Sequence, residues 1–257
     1  TLELGGKAPA VVCDDFPLAT AAERILFVKC LNAGQICTSV DHVFVPRAQV
    51  DEFAKLAAQI VPQRYPRLDS PDYTSIVDQR SFDRHVGALD DARSRGATLV
   101  DLIDSGPAHD GASRKIAPHV VLNAPWDSEL MTREIFGPIL PVVAYDTLDE
   151  VIARINSGPR PLALYPFSHD HARIERLLTH VMSGGVSIND ALFHVGQHDL
   201  PFGGIGDSGM GHYHGREGFE TFSKLRPIFH QARLSSVGLL APPYGRLAER
   251  MLAFLMR

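Results

Sequence analysis

Residues 139–167 read ILPVVAYDTLDEVIARINSGPRPLALYPF. Ile139 to Tyr145 is an apolar run after Pro138, short enough and rich enough in branched residues to be a buried strand. Asp146-Thr147 then starts a helix, with Leu148, Val151, Ile152 and Ile155 as its inner face. Leu162 to Phe167 is a second apolar run. The order is strand, helix, strand, and it repeats outward. Downstream, Asp170 to Val181 reads as a helix and Gly185 to Ile188 as a strand. Upstream, strands are expected at Ala10–Cys13 and His42–Val45. Helices are expected at Leu18–Ala33, Val50–Val61 and Phe82–Arg95, the last closed by Gly96. Ala97–Leu102 and Lys115–Leu122 read as strands, with a polar loop from Ser105 to Ser113 between them. This alternation predicts an α/β fold: an open, mostly parallel, twisted sheet with helices on both faces.

The 257 residues carry 25 basic and 30 acidic side chains, for a net charge of −5. That balance argues against a nucleic-acid or anionic-membrane partner held by a basic field. Hydrophobic residues make up 45% of the chain, enough for a sizeable core. Three cysteines without a Cys-x-x-Cys spacing exclude a disulfide framework and favour a reducing compartment, so a cytoplasmic location is expected. No apolar run could span a bilayer and no secretory signal pattern is present. The missing initiator Met fits a fragment or processed chain. His169/His171 and His212/His214 form H-x-H pairs in polar turns without a third ligand, so no metal site is expected. Leu247, Met251, Phe254 and Leu255 mark an amphipathic helix expected to pack on its own protein or on a dimer partner.

Four segments carry candidate chemistry. Cys37, in Gly34-Gln35-Ile36-Cys37, is the candidate nucleophile. A thiol attacks carbonyl carbon as thiolate, so the site is expected to lower its pKa by positive partial charge or a helix end. Cys13 and Cys30 fall on a strand and a helix face and read as small buried hydrophobes. Glu3 is the candidate general base for activating water, and Gly5-Gly6 is a side-chain-free turn that lets a cofactor and water approach. Glu134 could accept hydrogen bonds from ribose hydroxyls, and is also the alternative base. Gly204, Gly206 and Gly209 spell a formal G-x-G-x-x-G. Pro201 precedes it and Gly211 follows where a helix should propagate, so the dinucleotide fingerprint is rejected. Gly203 to Gly218 instead reads as a loop that folds closely over something.

Together, Glu3-Leu-Gly-Gly-Lys7, Gly34-Gln-Ile-Cys37, Glu134-Ile-Phe-Gly-Pro138 and Pro201-Phe-Gly-Gly204 resemble the aldehyde dehydrogenase superfamily. Glu134–Val142, Pro161–His169 and Ser208–Gly215 bring the resemblance nearest to class 3. Overall similarity is to the bacterial enzymes of that class that oxidise an aromatic propenal such as coniferyl aldehyde. The resemblance covers residues 1–230, which it implies are a catalytic domain, with 231–257 as an extension bearing the amphipathic helix. It further implies that the dinucleotide-binding domain lies mostly before Glu3 and is absent here, so that the chain is the catalytic half of a longer enzyme and is inactive alone.

The resemblance assigns Cys37 as nucleophile and Glu3 as the water-activating base. Glu134 would hold the nicotinamide ribose of NAD or NADP, with Phe136 beside the nicotinamide and Phe202 lining the substrate tunnel. The expected reaction is oxidation of an aldehyde to the acid through a thiohemiacetal and a thioester, in a homodimer. One alternative is a relative that transfers the acyl group to coenzyme A, against which Glu3 argues. The other is a non-catalytic assembly module, against which the intact Cys37, Glu3 and Glu134 set argues.

Overall fold

A computed structural model describes residues 1–103, 106–235, 238 and 241–256. Residues 1–222 and 223–257 form two compact units. The first begins with β1 (Leu2–Glu3), β2 (Pro9–Val12), α1 (Leu18–Cys30), β3 (His42–Pro46), α2 (Val50–Arg64) and α3 (Gln79–Ser94). Next come β4 (Thr98–Asp101), β5 (His109–Asp110), β6 (Lys115–Ile116), β7 (His119–Leu122), α4 (Glu129–Thr132) and β8 (Ile139–Tyr145). Then follow α5 (Leu148–Asn156), β9 (Ala163–Phe167), α6 (His171–His180), β10 (Gly185–Val186), β11 (Gly209–Met210) and α7 (Gly215–Thr221). The second unit contains α8 (Arg246–Leu255), in which Leu247, Phe254 and Leu255 are exposed.

Seven strands make one sheet in the order β10-β9-β2-β3-β8-β7-β4. All neighbours are parallel except β4 and β7. Its central strands are buried on both faces, and the two-residue period sorts their side chains into two cores. Val11, Phe44, Tyr145 and Leu164 meet Val151, Ile152 and Ile155 of α5 and Leu177 of α6. On the other face Ala10, Val12, Val43, Val45, Leu140 and Val142 meet Ala22 and Ile25 of α1 and Phe53 and Ala57 of α2. Each large apolar side chain buried this way contributes about 1.5–3 kcal/mol. The βαβ unit at 139–167 lies where its sequence places it. Thr147 caps α5 by accepting the N–H of Glu150 at 3.3 Å.

Three expectations need correction. The strand expected over Lys115–Leu122 is two, β6 and β7, because Pro118 between them has no N–H for a continuous ladder. The loop expected from Ser105 to Ser113 starts outside the described residues and contains β5, which pairs antiparallel with β6. Gly203–Gly218 is not wholly loop: it holds β11 and the start of α7.

Candidate active site

The four motif segments are far apart in sequence, and the sheet brings three of them together. Glu3–Lys7 leads into β2, Cys37–Asp41 into β3 and Glu134–Pro138 into β8. These strands are neighbours and parallel, so the segments meet along the N-terminal edge of the sheet. Open α/β sheets more often bind ligands at the opposite, C-terminal edge.

Asp41 knits the three segments. Its Oδ2 accepts the N–H of Ile135 at 2.9 Å, and its own N–H bonds Ala8 O at 2.8 Å. Its other oxygen pairs with Lys7, whose ammonium also donates to Leu130 O at 2.8 Å and Arg133 O at 3.0 Å. Burial opposes the Asp41 charge, but Lys7 and His42 outweigh it and hold the carboxyl below the usual carboxylate range. The buried Lys29 nearby donates to Val40 O at 2.9 Å, and burial lowers its pKa to about 8.

The nucleophile segment is shaped by a break in α1. The sequence extends that helix to Ala33, yet it ends at Cys30. Asn32, Ala33 and Gly34 follow with φ of 52°, 52° and 73°. Asn32 and Gln35 exchange side-chain-to-carbonyl bonds at 3.0 Å each, which holds this left-handed turn. Gln35 also accepts the N–H of Val77 at 2.8 Å. Gly34 packs so closely on the Glu134 segment that a Cβ would lie 2.3 Å from Gly137 O. Phe136, in that same segment, has φ of 49°, an uncommon conformation for a bulky residue, and its ring is exposed.

Cys37 is half-buried, whereas Cys13 and Cys30 are buried. Its Sγ lies 3.4 Å from Glu3 Oε1. The expected lowering of the thiol pKa is not what the site does. Burial, then the Glu3 carboxylate in contact, then Glu134, push it up to about 11. Cys37 follows the broken turn rather than beginning a helix, so it receives no positive helix end. At neutral pH it is a protonated thiol beside a carboxylate that can take its proton.

Glu134 sits on the Gly5-Gly6 turn. A Cβ at Gly5 would fall 1.8 Å from Glu134 Oε2, so the space that Gly5 leaves is filled by this carboxylate. The N–H of Gly6 bonds Glu134, while burial raises the Glu134 pKa. Phe202 is buried in an aromatic group with His194, Tyr213 and His214. The Gly-rich segment folds closely over its own backbone: Cβ atoms at Gly203 and Gly204 would lie 2.0 Å from Gly211 O and 1.9 Å from Ser208 O. Its strand β11 pairs antiparallel with β1, setting Glu3 opposite Gly209.

Sequence reasoning missed Asp41 and Tyr213. A charged residue at the mouth of an apolar strand was the available signal for Asp41. Tyr213 lies inside the quoted Ser208–Gly215 string, but nothing local joins it to Glu3, whose Oε2 accepts its phenol hydrogen.

The sequence pattern described as the aldehyde dehydrogenase family matches residues 1–228. A probable coniferyl aldehyde dehydrogenase of Pseudomonas aeruginosa is 49% identical over 252 residues, which are 98% of this chain and 52% of that protein. A coniferyl aldehyde dehydrogenase of a Pseudomonas species is 41% identical, over 100% of this chain and 54% of that protein. A substrate-bound structure of Staphylococcus aureus AldH superposes with a TM-score of 0.87 at 38% identity, over 99% of this chain and 55% of that one. The chain thus spans about half the length of the curated relatives it matches. With a pattern match over most of its length and relatives of this identity, the chain belongs to the aldehyde dehydrogenase family.

Proposed function

We propose that the chain carries the reactive thiol and both carboxylates of an enzyme that oxidises an aldehyde to its carboxylic acid. The observation that carries this reading is the 3.4 Å contact between Cys37 Sγ and Glu3 Oε1. Cys37 loses its proton to Glu3 and its sulfur bonds the carbonyl carbon, giving a thiohemiacetal. The backbone N–H of Cys37 is a donor for the resulting oxyanion. Once hydride has left that carbon the acyl group is a thioester on Cys37, and Glu3 gives the thiol proton up to solvent before the closing half of the reaction. Glu3 takes a proton from water, the water oxygen bonds the acyl carbon, and the carbon–sulfur bond breaks to release the acid.

Glu134 and Phe136 fit the nicotinamide end of NAD or NADP. Glu134 is an acceptor-only carboxylate held by Gly6, with acceptor capacity left for ribose hydroxyls, and the Phe136 ring beside it is exposed. The dinucleotide, when bound, supplies the hydride acceptor. An aromatic propenal of the coniferyl aldehyde type is the proposed substrate. Relatives with that name and the aromatic surroundings of Phe202 support it.

The test uses the full-length protein with coniferyl aldehyde and NAD or NADP. Reduced cofactor should form, and mass spectrometry of quenched turnover should find the acyl group on Cys37. An acyl group on another residue, or turnover retained by Cys37→Ser, would overturn the reading.

A further inference from the structure

Glu3 is a poorly restrained base by its own means. It belongs to a two-residue strand, and both residues of that strand are exposed. A glutamate there would sample many rotamers, and few would place its carboxylate on the thiol. Yet Oε1 contacts Cys37 Sγ at 3.4 Å while Oε2 accepts the phenol hydrogen of Tyr213. We propose that Tyr213 is a positioning residue, which pins one oxygen of Glu3 so that the other faces Cys37. This rests on the reading of Cys37 and Glu3 as nucleophile and base.

Tyr213 is well built for the task. Its N–H and C=O exchange 2.8 Å bonds with Phe202, in a bridge between the two segments. Its ring lies edge-on against Phe202, with centroids 5.4 Å apart at 85°, and edge-on against His214 at 4.7 Å. The Glu3 backbone is registered to the same Gly-rich segment, since Glu3 pairs with Gly209 and the Leu4 N–H bonds Ser208 O at 3.0 Å. One segment therefore fixes both the backbone and the far oxygen of the base. Burial and the neighbouring Glu3 charge raise the phenol pKa, so Tyr213 stays a neutral donor. In the proton transfer the S–H bond breaks, an O–H bond forms at Oε1, and Tyr213 keeps its own proton while donating it as a hydrogen bond to Oε2. Charge moves from carboxylate to thiolate, and no other group changes protonation.

The test reads the thiol rather than turnover. Iodoacetamide alkylation of Cys37 is followed against pH in the full-length protein, with Cys37→Ser as the blank. A pinned carboxylate raises the thiol pKa, so releasing it should lower that pKa. Tyr213→Phe should speed alkylation at pH 8.5 by about threefold or more, the ratio that half a pKa unit gives. Glu3→Gln should shift the profile the same way, and adding Tyr213→Phe to Glu3→Gln should change nothing further. Glu3→Asp, too short to reach both partners, should reproduce the Tyr213→Phe shift without disturbing the aromatic packing. A wild-type profile in Tyr213→Phe or in Glu3→Asp, or effects that add in the double variant, would overturn the proposal. If no aldehyde is oxidised, the function fails while these profiles still report the contact. If the profiles fail, turnover by Cys37 stands without Tyr213.

Discussion

Asp41 accepts the backbone N–H of Ile135 at 2.9 Å across 94 positions of sequence. It also pairs with Lys7, so one buried carboxylate spans the lead-ins of three strands. Asp41→Ala leaves the Lys7 ammonium without its counter-charge and should cost about 3–5 kcal/mol of stability. The Asp41 carboxyl titrates below its unfolded value. Its contribution is therefore complete above the unfolded pKa, about 3.9, and is lost as pH falls through the depressed folded value. Urea midpoints from pH 7 to pH 3 should show less acid loss in Asp41→Ala than in the wild type. Equal loss would show that Asp41 is not the group involved.

The contact between Gly34 and Gly137 should tolerate no side chain. Gly34 has φ of 73° and would aim a Cβ at Gly137 O. Gly34→Ala should therefore destabilise by more than about 1 kcal/mol and lower Cys37 reactivity. Gly87 in α3 is the control, with nothing within 4 Å of its Cβ position. Gly87→Ala should stabilise by about 0.5–1 kcal/mol through helix propensity. Thermal melts of both variants check this, and melts that move in the same direction would refute the contrast.

Cys37 should be the one cysteine that iodoacetamide reaches quickly in the folded protein. Cys13 and Cys30 are buried, and burial pushes the Cys30 thiol up to about 12. Peptide mapping should place the first carbamidomethyl group on Cys37, faster as pH rises toward 11. Cys37→Ser should also abolish aldehyde oxidation with little change in melting temperature.

The two carboxylates should separate in single-turnover kinetics. Glu3→Gln removes the water-activating base but also the carboxylate that raises the Cys37 thiol pKa. The thiol can then ionise to solvent, so a burst of reduced cofactor should survive while steady turnover falls by about 100-fold or more. Glu134→Gln loosens the ribose end, so the burst itself should slow. A burst lost in Glu3→Gln and kept in Glu134→Gln would exchange the roles.

Much of the fold was legible because its signals are local. The βαβ unit at 139–167 has apolar runs, a capping threonine and a four-residue inner face, each set by neighbours in sequence. Pro118 was legible too, but reading Lys115–Leu122 as one strand gave periodicity precedence over the missing N–H. The turn at Asn32–Gly34 was less visible, since Ala33 favours a helix and the reversal is held by side-chain and backbone bonds between Asn32 and Gln35. Cys37, Glu3 and Glu134 were found as residue types in motifs. Their mutual electrostatics were not, because the thiol's rise to about 11 depends on burial and on a carboxylate brought in by strand pairing. Tyr213 sits 210 positions from Glu3 and reaches it through two-residue strands, a pairing too short for any sequence pattern to announce.

The N-terminal-edge location makes chain length a chemical variable. Pro9 is in register with His42 and Val43 with Val142, so the strands act as fixed rulers against which the thiol and both carboxylates are measured. Inserting one residue between Cys37 and His42 would leave every core contact of β3 in place while moving the sulfur by about 3 Å, the advance of one extended residue. Thr38 to Asp41 are buried and bonded to Tyr165, Lys29, Lys7 and Ile135, so such a protein would lose stability as well as activity. Extra residues in the turn at 111–114, between β5 and β6, displace no ruler and should be silent. Insertions and deletions thus divide this chain into spans whose length is part of the catalyst and spans whose length is free.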